Sequence, residues 1–162
     1  MLFRSVAGLN ADRTIVVVTS VHGDMHGAHG CFRKGWPYEE SVRVPLLVRR
    51  PGVAPRCDRA AMSLLDLPRL TLAWADGEAD AAMPRPEVAA IAMPTVVALP
   101  WQCDRIWRGV RSPVRKLVLH GDGSPWLFFD LERDPFEREN LAGRPDHVAE
   151  MAAWQRRCDT LT

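Results

Sequence analysis

A short β-branched run that opens into a loop of glycine, histidine and aspartate constrains this chain more than any other feature. Residues 15–18, IVVV, are apolar without alternation. Their length and branching favour a β-strand buried on both faces of a parallel sheet, although periodicity alone also permits a buried helix. Ligands of open α/β sheets bind just beyond the carboxyl ends of strands. Residues 21–36, which follow the run, are therefore predicted to form a ligand-binding loop.

Metal-ligating residue types are concentrated in this loop. It holds three of the five histidines of the chain, together with an aspartate and a cysteine: His22, Asp24, His26, His29 and Cys31. Zinc accepts nitrogen, sulfur and carboxylate ligands, so a zinc site is one interpretation. The spacing fits no zinc motif, and the other interpretation is that these side chains are hydrogen-bonded loop residues.

Two ordered motifs resemble the sulfatase family, which belongs to the alkaline-phosphatase-like superfamily of metal-dependent ester hydrolases. Family sequences read T-S-D-H-G-[DE], then a Gly/His stretch, then a lysine followed by W-P-Y-E-E-S-x-R-V-P-L. The chain matches this pattern at Thr19, Ser20, His22, Gly23, Asp24, Lys34, Trp36 to Ser41 and Arg43 to Leu46. A downstream stretch is similar to the family's closing segment, in which a strand pair leads to a D-L-x-x-D-P-x-E-x-x-N-L turn; it comprises residues 107–111, 116–118 and 130–142.

The resemblance covers nearly all of the chain, but only the carboxyl-terminal part of a family member. It implies an α/β fold: residues 1–100 would form the terminal part of an alkaline-phosphatase-like sheet domain. Residues 101–162 would form a small α+β subdomain of antiparallel strands and a C-terminal helix.

The resemblance also assigns roles to two residues. Lys34 corresponds to the family lysine that binds the sulfate group, and an ammonium there would neutralise charge on the leaving or bridging oxygen, which makes it both the catalytic and the substrate-binding candidate. His22 corresponds to a metal ligand of a divalent cation, for which calcium is the expected ion. Val21 stands where the family has an aspartate, so an anionic oxygen ligand is replaced by an isopropyl group.

The family nucleophile is a formylglycine made from a C/S-x-P-S/A-R motif. None of the four cysteines, Cys31, Cys57, Cys103 and Cys158, begins such a motif. The resemblance thus implies a sulfuric ester hydrolase acting on sulfate esters, but as a truncated part that we expect to be inactive alone. Two alternatives stay open: a non-catalytic remnant or interaction module that pairs with a separate amino-terminal half or with itself, and a small zinc-binding protein.

Composition excludes several classes of partner. Lysine and arginine number 21 against 20 acidic residues, a net charge of +1, so no long-range field favours nucleic acid or an anionic membrane. No apolar run is long enough to cross a bilayer. The apolar stretch at the start of the sequence is too short for a signal peptide. Irregularly spaced cysteines without a C-x-x-C pair predict reduced thiols and, by default, a cytoplasmic location. The alternative is that an export signal belonged to the missing amino-terminal half.

Turn residues and apolar spacing predict the remaining elements. We expect a helix tail or lead-in at residues 2–12, helix-like spacing over residues 59–74 interrupted by Pro68, and a linker at residues 76–87. Strands are predicted at residues 14–20, 42–49, 91–99, 114–120 and 126–129, and a terminal helix at residues 145–161.

Overall fold

The computed structural model describes residues 12–78, 86–96 and 99–161. Strand β1 (Val16–Thr19) pairs antiparallel with β2 (Leu46–Arg49) in a two-stranded sheet, with Val17 opposite Val48. The apolar residues of β1 are only half-buried. Over the described residues, the expectation of a strand buried on both faces of a parallel sheet is therefore wrong, because β-branching favours a pleated backbone without specifying the direction or number of its neighbours.

Two short helices flank β2. Helix α1 (Glu39–Val42) directly follows the ligand-binding loop, so the strand predicted from residue 42 begins only at Leu46. Helix α2 (Leu67–Ala75) follows a 3-10 turn at Leu64–Asp66 and begins later than the predicted 59–74. Pro68 lies in its first turn, where a missing N–H costs nothing, so this proline helps to start the helix instead of interrupting it.

A four-stranded antiparallel sheet forms the rest of the core. Its strands lie in chain order: β3 (Ala89–Met93), β4 (Trp107–Arg111), β5 (Arg115–His120) and β6 (Pro125–Asp130). These strands confirm the expected antiparallel part of the fold. Strand β3 precedes residue 100 and pairs with β4 beyond it, so the sheet spans the predicted domain boundary, which stays a prediction.

The two faces of this sheet bury different partners, because successive strand residues point to opposite sides. Helix α3 (Val148–Leu161), which confirms the predicted terminal helix, packs Trp154 against Leu117 and Leu119 of β5. On the other face, Val118 lies in a cluster against which Trp36 and Tyr38 pack. The segment that carries the ligand-binding loop is thus anchored to the sheet.

Some predicted elements fall outside the described residues. The lead-in at residues 2–12 lies almost entirely within residues 1–11, and most of the linker at residues 76–87 lies within residues 79–85. The strand predicted at residues 91–99 is observed to residue 93, and residues 97–98 are not described. Among the described residues, no helix has the length and apolar character needed to span a membrane.

Candidate functional site

The two residues that the family resemblance singles out lie side by side. The ligand-binding loop, residues 21–36, folds back so that Lys34 Nζ lies 3.0 Å from Nε2 of His22. The other ring nitrogen of His22, Nδ1, lies 2.7 Å from the Gly23 carbonyl oxygen, which can only accept. Nδ1 therefore carries the proton, and Nε2 accepts a hydrogen bond from the lysine ammonium.

The loop reaches this geometry through tight local turns. The backbone N–H of Met25 donates to the Arg33 carbonyl at 3.2 Å, which closes the loop at its base. A 3-10 turn (Ala28–Gly30) lies inside it, and His29 and Arg33 adopt positive φ angles of 52° and 63°. Met25 is buried beneath the loop with 1% exposure. The strand end thus presents a lysine and a histidine on an otherwise compact loop.

The residues around His22 do not fit the divalent cation that the family implies. Val21 exposes 85% of its surface, and its side chain offers no ligand atom. The Nε2 lone pair of His22 is engaged by Lys34, whose positive charge opposes a cation at the same nitrogen. Calcium needs about six to eight oxygen ligands, so this chain by itself does not provide a calcium site here.

The loop residues considered as zinc ligands are not gathered around one point. Asp24 Oδ1 lies 3.7 Å from His26 Nδ1, and Cys31 Sγ contacts the His29 carbonyl at 3.5 Å. His29 instead joins Glu40 and Glu137, whose ligand atoms all lie within 4.8 Å of one another. That is the one group of three such ligands found within the described ranges.

A buried ion-pair network lies beside that group. Lys116 Nζ is 2.6 Å from Glu137 Oε1 and 2.8 Å from Glu39 Oε1, and it donates to the Pro37 carbonyl at 3.0 Å. Arg111 Nη2 lies 2.9 Å from Glu39 Oε2. Lys116 thus already supplies positive charge to both Glu39 and Glu137.

Burial and charge shift the two carboxyl groups of this network in opposite directions. Burial by itself would raise the pKa of Glu39, but Lys116 and Arg111 outweigh it and hold that pKa below its ordinary value. Burial raises the pKa of Glu137, and the attraction of Lys116 offsets this only in part. The network therefore favours an ionised Glu39 more than an ionised Glu137.

Sequence reasoning missed the pairing of Lys116 and Glu137. Glu137 belongs to the D-P-F-E turn and has a positive φ of 52°, and Lys116 interrupts the otherwise apolar interior of β5. A charged residue inside an apolar strand is the signal that should have indicated a buried partner.

His22 and Lys34 line an open groove with a volume of about 1870 Å³ between the two sheets. Seven cationic side chains line the groove against three carboxylates, Glu39, Asp58 and Glu132. The cationic ones are Lys34 and six arginines: Arg43, Arg49, Arg50, Arg56, Arg59 and Arg111. The groove therefore suits an anionic ligand.

Comparisons with known proteins find sulfatases among the relatives of this chain. No family model matches the chain. It is 31% identical over 157 residues to an ulvan-active sulfatase of Formosa agariphila, covering 86% of this chain and 30% of that protein. It is 33% identical over 141 residues to an uncharacterized sulfatase, YidJ, of Escherichia coli, covering 80% of this chain and 28% of that protein.

A solved structure extends the similarity to the fold. The putative sulfatase yidJ from Bacteroides fragilis superimposes with a TM-score of 0.72 and 26% identity, covering 92% of this chain and 35% of that one. The chain spans about 30% of the length of the curated relatives described above. In sequence and in fold, the chain is a relative of the sulfatases that corresponds to their carboxyl-terminal part.

Proposed function

We propose that this chain provides the sulfate-binding lysine side of a sulfuric ester hydrolase and is catalytically inactive on its own. The observation that supports this most is the 3.0 Å contact between Lys34 Nζ and His22 Nε2 at the end of β1. The motif positions that match the family lysine and the family metal ligand are thus adjacent in space as well as aligned in sequence.

Lys34 is the residue to which we assign both substrate binding and catalysis. Its ammonium would hydrogen-bond a sulfate oxygen and neutralise charge that develops on the bridging oxygen as the S–O bond breaks. His22 accepts from Lys34 and so orients the ammonium toward the groove. The excess of cationic residues along the groove supports an anionic substrate, for which sulfate esters are the proposed class.

Inactivity of the chain alone follows from the missing nucleophile. No C/S-x-P-S/A-R motif is present in the sequence. Neither Lys34 nor His22 replaces the nucleophile that forms the covalent intermediate with sulfur. The divalent cation of the family does not fit the residues at this strand end, so no step of the reaction is assigned to it here.

Binding and turnover test the proposal separately. We expect inorganic sulfate, titrated into the chain and followed by NMR, to shift resonances of the His22–Lys34 loop, and Lys34→Ala to abolish the effect. Arg33→Ala removes a neighbouring cation and serves as the matched control that retains binding. A chromogenic aryl sulfate should not be hydrolysed. Sulfate binding that survives Lys34→Ala, or turnover by the isolated chain, would contradict the proposal.

A second candidate is an interaction module that pairs with a separate amino-terminal half. The specific observation in its favour is the two-stranded sheet, in which Leu47 of β2 is 46% exposed. A two-stranded sheet is marginally stable in water and gains from further strands. Co-expression with the amino-terminal part of a sulfatase, followed by co-purification, distinguishes a pairing module from a lone remnant, which captures nothing.

A further inference from the structure

Ser41 forms hydrogen bonds with the backbone next to both members of the His22–Lys34 pair. Its carbonyl oxygen accepts from the backbone N–H of Gly23 at 2.9 Å, and its hydroxyl oxygen Oγ accepts from the N–H of Gly35 at 3.1 Å. Gly23 directly follows His22, and Gly35 directly follows Lys34. One residue therefore ties together the two points of the backbone from which the paired side chains emerge.

The position of Ser41 is itself set by the sheet. Ser41 is 4% exposed in helix α1, and its N–H donates to the Tyr38 carbonyl at 2.9 Å. Tyr38 packs on the apolar cluster of the four-stranded sheet, and Glu39 pairs with the buried Lys116. The buried contacts of Tyr38 and Glu39 thus hold α1 in place. The atoms of Ser41 that bond the loop are therefore fixed relative to the sheet.

The loop has little freedom to adjust around these bonds. A Cβ on Gly23 would overlap the Glu40 carbonyl oxygen, so the backbones approach closely there. Gly35 has a φ of 92°, a conformation that favours glycine. Gly35 is held at both of its backbone groups: its carbonyl oxygen accepts from Nε1 of Trp107 at 2.8 Å, and its N–H, on the side of Lys34, donates to the Ser41 hydroxyl.

We propose that Ser41 is a positioning residue that sets the spacing of Lys34 and His22 for anion binding. The inference rests on the proposed function, since it concerns the same anion site. Lys34 has a flexible four-carbon stem, so its ammonium stays beside His22 only if the backbone at Gly35 is held in place. The hydroxyl of Ser41 provides that restraint at the N–H of Gly35, the peptide group that joins Lys34 to Gly35, whereas Trp107 holds the carbonyl on the far side of the glycine.

The test compares Ser41→Ala with two matched variants. Ser41→Thr keeps the hydroxyl. Ser112→Ala removes another serine of 4% exposure, whose Oγ accepts from the N–H of Arg115 at 2.9 Å, far from the loop in sequence. Urea unfolding of each variant shows how much stability is lost. The side-chain ¹⁵N resonances of His22, measured without anion, report the hydrogen bond that Lys34 donates to Nε2.

In Ser41→Ala we expect the Nε2 resonance to move toward its value in Lys34→Ala. Sulfate affinity should fall about fivefold, the equivalent of one neutral hydrogen bond. Ser41→Thr should restore both readouts. Ser112→Ala should lose stability to a similar extent and leave both readouts unchanged.

An unchanged His22 resonance in Ser41→Ala, or an equal change in Ser112→Ala, would overturn the inference. The proposed function can fail separately. If the unmodified chain binds no sulfate while Ser41→Ala still shifts the His22 nitrogen, the anion site is wrong and the positioning role stands.

Discussion

Lys116 Nζ lies 2.6 Å from Oε1 of Glu137, and the two side chains expose 0% and 1% of their surface. Lys116 is the second residue of β5, and Glu137 comes from the turn after β6. With Glu39, at 2.8 Å from the same ammonium, they join the sheet to helix α1 and thereby to the ligand-binding loop. The arrangement couples the stability of the sheet to the position of the site.

Replacing Lys116 with methionine should strongly destabilise the chain. The change leaves two buried carboxylates without their shared cation, and breaking a buried pair typically costs about 3–5 kcal/mol of unfolding free energy. Arg133→Met is the matched control, since Arg133 has an 89% exposed side chain 3.9 Å from Asp130 and should cost less than about 1 kcal/mol. Urea unfolding measures both, and equal losses would contradict a dominant role for the buried network.

Stability should fall in acid, and Glu39 should account for part of the loss. Its pKa in the folded chain lies below the ordinary value of 4.5, so its contribution is present above pH 4.5 and is lost as the pH falls through the folded pKa. Glu39→Gln should therefore show a flatter decrease in unfolding free energy between about pH 5 and 3.

Glu137 should act in the opposite sense. Because its pKa in the folded chain is raised, Glu137 contributes stability that is fully present below pH 4.5 and is lost as the pH rises through the folded pKa. Glu137→Gln removes this contribution, so the unfolding free energy of the variant should decrease more steeply as the pH falls. Denaturant unfolding at a series of pH values distinguishes the two variants. Identical pH profiles for both would show that these shifts do not govern acid stability.

Gly23→Ala should disrupt the contact between the loop and α1. The added Cβ would overlap the Glu40 carbonyl oxygen, so the backbones must move apart, at a cost of about 1–3 kcal/mol. Gly143→Ala is the control, because nothing lies within 4 Å of its Cβ position. Thermal unfolding should show a lower midpoint for Gly23→Ala alone. A midpoint equal to that of the control would mean that the helix moves aside without loss.

Val21→Asp should not create a calcium site in the isolated chain. The change adds one carboxylate beside an imidazole that Lys34 already engages, well short of the ligand number that calcium requires. Calorimetric titration with calcium should show no binding in the millimolar range, and affinity should rise only when an amino-terminal half supplies further carboxylates. Tight calcium binding by the isolated Val21→Asp chain would mean that the loop forms a complete site unaided.

The two-stranded sheet should make the isolated chain self-associate. Leu47 is 46% exposed on β2, and strands with open edges and apolar faces recruit other chains. Leu47→Lys should shift sedimentation toward the monomer, whereas Val148→Lys, at a residue 56% exposed on α3, should leave it unchanged. A parent chain that sediments as a monomer at all concentrations would contradict this prediction.

Local patterns were enough to locate most elements. A β-branched run marks β1, short apolar runs mark β2 and β5, and a proline after Gly143 marks the start of the terminal helical segment. The motif positions also place Lys34 and His22 in one loop. Boundaries moved where a local effect intervened: Glu39–Val42 form a helical turn, and Pro68 starts a helix that it was expected to interrupt.

The sequence by itself determined the residue types of the site, the sulfatase-like order of its motifs and the unbroken apolar run Leu117–Leu119 that gives β5 two buried faces. Only the tertiary structure decided which residues meet. The direction of the partner of β1, the pairing of Lys116 with Glu137 and the double hydrogen bond of Ser41 all join segments that are separate along the chain. The separation reaches 98 residues where the N–H of Glu39 donates to Oε2 of Glu137 at 2.7 Å. Propensity and spacing act over a few residues, whereas such contacts depend on how sheets, helix and loop pack together.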